Sequence, residues 1–326
     1  MYLVIVAGCI LMSIGVGWSI GANDAANSIG TAVGSRVVTL RQGIVLVVFF
    51  GLLGAMLLGG NVAKTVGSGI APLDTLSETM RPTVALTATL SACTWVVLAT
   101  LWKMPISTSH SIVGAVAGCA LALGLPVNWK VMQRIFLCWV LTPGGAALMG
   151  YAAYRILQFV FPRVVPPRFQ KRTLTFLILA SACYVAFSWG ANDVANATGV
   201  LSGTGILSVR SSVALGGLAI ALGIVTWGYR VIETIGSQIT HLLPLMAFSA
   251  QLASGLNVHL YTELGIPVST SHSIVGAIFG VGLVRGLQVV NVRIMREIVV
   301  CWVATPFVSG VIGFCALKAL VWGLKI

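Results

Sequence analysis

Asp24 and Asp193 are two of only seven acidic residues in 326, and each sits in the same context, GANDAAN at Gly21 to Asn27 and GANDVAN at Gly190 to Asn196, 169 positions apart. A carboxylate among carboxamides offers hard oxygens to Na+ or holds a proton. An ionisable group duplicated beside apolar runs marks a transport pathway, although capping of helices at an interface would use the same residues. A second duplicated cluster supplies hydroxyls: Ser107, Thr108, Ser109, His110 and Ser111 follow Pro105, and Ser269, Thr270, Ser271, His272 and Ser273 follow Pro267. Proline lacks an amide proton and keeps the residue before it out of helix, so the chain is expected to be extended before each cluster and helical after it. Such a helix start presents unpaired N–H groups and a partial positive charge, which suits an oxyanion without any Arg or Lys. Ordinary N-capping by Ser and Thr is the plainer alternative. His110 and His272 are disfavoured as cations beside helix starts, and are read as packing or capping groups ahead of proton relays.

These residues need elements to hold them. In GANDAAN, Gly21 can stop an apolar helix and Asn23 or Asp24 can cap the next, so a helix broken at membrane depth is expected there, its freed carbonyls lining a cavity. Two further blocks recur in order: TVGSGI at Thr65 to Ile70 with TIGSQI at Thr234 to Ile239, and CWVLTP at Cys138 with CWVATP at Cys301. The offset falls from 169 to 162 between Ile239 and Pro267, a contraction that a loop can absorb. Gly114 and Gly118, like Gly276 and Gly280, are small residues four apart and are assigned to close helix packing.

With 58% hydrophobic residues, 8% charged and a mean hydropathy of +1.01, the chain cannot cover a water-soluble surface. Its apolar runs lack strand alternation, so it is read as an all-α polytopic membrane protein. The runs are Tyr2 to Ser19, Gly43 to Leu58, Thr83 to Trp102, Ser109 to Gly124 and Ile135 to Phe161, then Thr173 to Trp189, Leu207 to Tyr229, Leu242 to Leu260, Ser273 to Leu287 and Ile298 to Leu324. Five per half inverts the second copy relative to the first, and short runs point to broken helices or re-entrant segments, about 10–12 elements in all. The halves are residues 1–160 and 173–326, joined by a basic linker, 161–172, reading FPRVVPPRFQKR. With the N-terminus outside, 12 of the 19 Lys and Arg fall in inner loops, which places that linker in the cytoplasm. The net charge of +12 thus reads as topology and contact with anionic lipid, and not as a nucleic-acid footprint. The first run lacks a basic leader and a small-residue cleavage site, so it is not read as a signal peptide, which fits a prokaryotic plasma (inner) membrane. Seven cysteines lie in apolar runs without a C-x-x-C and are taken as small buried hydrophobes. No Walker loop, dinucleotide fingerprint or metal-ligand spacing is found, and no cofactor is expected.

GANDxAN in both halves, the paired P-I/V-STSHS-IVGA segments and the TV/TI-G-S stretch, from Gly21 through Pro306, resemble the inorganic phosphate transporter (PiT) family of cation-coupled symporters. The resemblance implies an inverted-repeat secondary transporter importing inorganic phosphate with Na+ or H+, N-terminus outside. The family's substrate positions carry over to Asn23, Asp24 and Asn27, to Asn192, Asp193 and Asn196, and to Ser107, Thr108, Ser109, Ser269, Thr270 and Ser271, with Na+ near Asp24 and Asp193. Many members have Glu before both TI/TV elements; here the first is Lys64 and only Glu233 remains, a pair expected to meet near the pseudo-two-fold axis in coupling or gating. The large hydrophilic insert that some members carry between the halves is missing. Expected partners are inorganic phosphate, the cation and the lipid bilayer, with room for a homodimer. Rival readings are a sulfate permease of the same family, a channel, and an intramembrane aspartyl protease in which two aspartates share a proton. The last lacks a G-x-G-D pattern and would make the chain an enzyme, which it is not expected to be.

Overall fold

The computed structural model describes residues 2–34, 37–102, 106–229, 243–286 and 292–324. Among them are ten α-helices, five in each half, and no strand. The first five are α1 (Tyr2–Gly34), α2 (Leu40–Lys64), α3 (Met80–Leu101), α4 (Thr108–Ala122) and α5 (Trp129–Val164). Their counterparts are α6 (Pro167–Gly203), α7 (Val209–Gly223), α8 (Pro244–Glu263), α9 (Thr270–Leu283) and α10 (Val292–Leu324). Each overlaps one apolar run, but most begin or end beyond it, because polar caps rather than hydropathy set the ends. Thr39 caps α2 in a reciprocal pair with Gln42, Asn128 caps α5 through the Val131 amide, and Ser208 caps α7 through that of Ser211.

Seven of the helices are long and apolar enough to cross a membrane. The exceptions that matter are α4 and α9, of 15 and 14 residues. At 1.5 Å per residue they reach only about 21–23 Å, short of the roughly 30 Å hydrocarbon core. They are half-helices that begin inside the protein, as the proline-led clusters predict. The α5–α6 junction is tighter than a twelve-residue linker: only Val165 and Pro166 stand outside helix.

The two GAND motifs do not break their helices. α1 runs through Gly21 to Gly34 and α6 through Gly190 to Gly203, which overturns the expected interruption. The reason lies in the neighbours. A Cβ at Gly21 would fall on the carbonyl of Ile220 in α7, and one at Gly190 on the carbonyl of Gly51 in α2. These glycines let backbones touch, which inside a membrane is the commoner use of the residue. The same contact appears twice because the halves are related by a pseudo-two-fold: Gly223 meets Trp18 as Gly54 meets Phe187.

Packing exchanges the half-helices between repeats. α4 lies along α10 of the other half, with Gly114 and Gly118 on the carbonyls of Pro306 and Gly310; α9 lies along α5, with Gly276 and Gly280 on those of Pro143 and Ala147. Both pairs of glycines therefore serve close packing, as their spacing indicates. Pro143 and Pro306, the prolines of the duplicated CWVxTP blocks, have no N–H for the carbonyls four residues earlier, those of Trp139 and Trp302. His110 Nδ1 donates to the Trp302 carbonyl at 3.0 Å, and the His272 ring turns toward that of Trp139 without reaching hydrogen-bond geometry. Each imidazole also stacks on the tryptophan across from it, His110 on Trp139 at 3.7 Å and His272 on Trp302 at 3.3 Å between centroids. The histidines thus pack and cap the exchanged helices. None of the seven cysteines is in a disulfide, and only Cys315 is exposed.

Candidate functional site

α1 and α6 cross in the middle of the protein and bring the two GAND motifs together where α4 and α9 begin. Asp24 and Asp193 are both buried, 8% and 1% exposed, and lie within electrostatic reach of each other. Among the described residues neither carboxylate forms an ion pair with Lys or Arg. Their partners are hydroxyls and carboxamides. Thr270 Oγ1 donates to Asp193 Oδ2 at 3.2 Å and Asn196 Nδ2 to Asp193 Oδ1 at 3.1 Å. Asp24 faces the hydroxyls of Thr108 and Ser271.

The links cross between repeats. Asn27 Nδ2 of the first half donates to Ser271 Oγ of the second at 2.9 Å, and Asn196 Nδ2 of the second donates to Ser109 Oγ of the first at 2.8 Å. Ser109 Oγ in turn donates to the Val268 carbonyl at 2.9 Å, in the extended chain that leads into α9. Each cluster of five polar residues is therefore divided by helix geometry. Ser107 and Ser269 sit in extended backbone as N-caps, accepting from the amides of His110 and His272. Thr108, Ser109, Thr270 and Ser271 face the carboxylates and carboxamides. Ser111 and Ser273 point away, toward α10 and α8. The plain capping role thus holds for the first serine of each cluster.

The four asparagines divide as well. Asn27 and Asn196 join the repeats, whereas Asn192 is committed to the α8–α9 connection. Its Nδ2 donates to Thr262 Oγ1 at 2.9 Å and to the Ile266 carbonyl at 3.2 Å, and its Oδ1 accepts from the Val268 amide at 3.1 Å. With both protons and its oxygen in use, Asn192 shapes the approach to α9. Asn23 and Asn27 are half-buried beside Asp24. Lys64 ends α2, exposed, and Glu233 lies outside the described residues, as do Pro105 and the second TIGSQI block, so their expected encounter is not described. Of the first block, Thr65 to Ile70, Thr65–Gly69 continues α2 as a π-type turn whose Gly67 touches the carbonyl of Gly199 in α6.

One neighbour of the carboxylates lies outside the duplicated motifs. Trp189, 1% exposed, precedes Asp193 by one helical turn, and its indole N–H approaches the carboxylate without reaching hydrogen-bond geometry. The equivalent position of the first half holds Ile20. The two carboxylates, identical in motif, thus differ in surroundings, and that could be found only by comparing the halves outside the conserved letters.

The chain matches the model of the Phosphate transporter family twice, over residues 20–171 and 162–313. The chain belongs to the phosphate transporter family. Its relatives in that family include a Pyrococcus furiosus protein named "Putative phosphate permease", 31% identical with 95% of each chain covered, and the Arabidopsis thaliana protein "Inorganic phosphate transporter 2-1, chloroplastic", 29% identical over 88% of this chain and 67% of that one. A solved structure described as "The sodium-dependent phosphate transporter" superposes with a TM-score of 0.88 at 28% identity, covering 99% of both chains. As a family member it is a multi-pass membrane transporter and not an enzyme, which removes the aspartyl protease reading. Two successive matches to one family model accord with the internal duplication.

Proposed function

We propose that this chain imports inorganic phosphate by cation symport, with Na+ as the coupling ion and the anion held between the starts of α4 and α9. The observation that carries this reading is that two buried carboxylates from different repeats lie among hydroxyls and carboxamides, with no basic side chain paired to either among the described residues. An anion beside bare carboxylates is repelled by about 4 kcal/mol per charge pair at 4 Å and an effective dielectric near 20. A cation at Asp24 or Asp193 cancels that repulsion, so phosphate affinity comes to depend on the cation, which is coupling in the thermodynamic sense. Na+ rather than H+ is supported by the sodium dependence of the structural relative.

The helix starts supply N–H donors and the Ser and Thr hydroxyls supply more, so phosphate needs no arginine clamp. An ionised aspartate accepts a hydrogen bond from a protonated phosphate oxygen, which sulfate lacks, so the acids discriminate between the tetrahedral anions. Alternating access then comes from one bundle of helices, drawn from both repeats because the half-helices are exchanged, moving against the rest about the crossing of α1 and α6, with the N-terminus outside.

The test is labelled phosphate uptake into liposomes holding the purified protein, under an inward Na+ gradient and then a pH gradient, each challenged with excess sulfate. Na+-driven uptake resistant to sulfate is expected. Uptake driven by the pH gradient alone reassigns the cation, and sulfate carried in place of phosphate reassigns the substrate.

A further inference from the structure

The chain contains no acidic residue between Glu78 and Asp193, yet nine Lys and Arg fall in that stretch. Four of them, Arg163, Arg168, Lys171 and Arg172, gather where α5 ends and α6 begins. Among the described residues no carboxylate pairs with any of the four. Their contacts are with aromatic rings and backbone: Arg163 lies 5.9 Å from the Phe159 ring and donates to the Phe159 carbonyl, and Arg168 lies 4.7 Å over the Phe169 ring. α6 opens without an acid in its first turn, so the partial positive charge of its N-terminus adds to the cations unopposed.

Between these helix ends is an open cleft of about 500 Å³, lined by Val164, Val165, Pro166, Phe169, Arg172, Thr173 and Phe176. Val164 is 70% exposed and Phe176 66%, apolar groups that water would disfavour beside cations that hydrocarbon would exclude. Apolar and aromatic side chains next to Arg and Lys at a helix end are the composition of the headgroup boundary. α5 and α6, of 36 and 37 residues, are long enough to carry their junction to that boundary.

We propose that this cleft binds an anionic glycerophospholipid, an acyl chain lying on Phe169, Phe176 and Val164 and the phosphate meeting Arg172, Thr173 and the edge of Arg168. Unpaired cations over an apolar slot complement a ligand that is anionic at one end and hydrocarbon at the other. Free inorganic phosphate shares the headgroup chemistry but has nothing to place in the apolar part. The site is separate from the proposed transport site, and its occupancy does not depend on which ion is carried.

Native mass spectrometry of the purified full chain with equal phosphatidylglycerol and phosphatidylcholine tests it. One phosphatidylglycerol is expected to be retained in preference to phosphatidylcholine, and the preference to survive millimolar inorganic phosphate. Arg168→Gln with Arg172→Gln should weaken it about 25-fold, at roughly fivefold per arginine. Arg210→Gln, an exposed base elsewhere, should leave it unchanged. If the double variant does not stay monodisperse, salt replaces it: at about 1 M NaCl, where the screening length is near 3 Å, the preference should fall in the wild-type chain. Equal retention of the two lipids, an unchanged preference in the double variant, or displacement by inorganic phosphate would each overturn the assignment.

Discussion

The GAND motifs and the proline-led STSHS clusters are both duplicated, both polar and both set against apolar runs, yet the chain treats them oppositely. α1 and α6 pass unbroken through GANDxAN, while α4 and α9 start inside the STSHS clusters. The difference is in what glycine and proline do. Gly21 and Gly190 are pressed onto neighbouring backbones, so they allow crossing; Pro267 lies outside helix, in the approach to α9. One motif therefore brings side chains to the centre on rigid helices, and the other brings free helix ends to meet them.

The sharpest way to break this contrast is to restore side chains at the crossing. Gly190→Val puts its Cβ on the Gly51 carbonyl, a clash with backbone that no rotamer relieves. Gly144→Val, in α5 with nothing within 4 Å of its Cβ, is the matched control. Loss of monodisperse protein for the first and normal yield for the second is expected in size-exclusion chromatography. If Gly190→Val behaves as Gly144→Val does, the motif glycine is not a packing residue and its helix is free to break.

A second test separates chemistry from packing on the same helices. Asp24→Asn keeps the shape and the hydrogen-bonding reach toward Thr108 and Ser271 but removes the charge. Yield and melting temperature should persist, while Na+-driven phosphate uptake falls by about 100-fold, near the upper end of usual coupling energies. Retained uptake would show that the carboxylate only packs.

Much of this was legible in the letters. The ten elements, the duplication and the hydroxyls and carboxamides around Asp24 and Asp193 are readable, because hydropathy and repeated motifs report what a membrane and a pseudo-two-fold require; Trp189 beside Asp193 is not. What was not legible is which atoms each polar residue spends on neighbours. Gly21 in GAND reads as a stop by the rules of helix ends, and only the closeness of Ile220 reveals another use. Asn192 looks equivalent to Asn196, but the turn after α8 takes all its hydrogen-bonding groups. Likewise, nothing in CWVxTP announces that its proline frees a carbonyl for a histidine 192 positions away in sequence.

The cross-repeat bonds allow a finer comparison. Asn196→Ala removes a donor shared by Asp193 and Ser109, including one bond to a charged group. A loss of roughly 1.5 kcal/mol, about tenfold in phosphate affinity, is expected for such a bond. Asn192→Ala leaves the Val268 amide without its acceptor and should act on the helix start instead, lowering the melting temperature along with uptake. Equal phenotypes in thermal melts and uptake would erase the distinction between the two asparagines.

The smallest expected effect divides a single cluster. Ser269 and Ser271 are two residues apart, yet Ser269 accepts from the His272 amide as the cap of α9 while Ser271 accepts from Asn27 and faces Asp24. Ser269→Ala should cost about 1 kcal/mol of helix stability, the usual value of an N-cap. It should appear as a lower melting temperature, with phosphate affinity changing little once the protein is folded. Ser271→Ala should do the reverse, sparing the melt and weakening phosphate or Na+ binding. A helix start can serve an anion only if something other than the anion holds it in place. If both variants lower affinity alike, the cap itself contacts the substrate, and the division of labour along the first turn of α9 disappears.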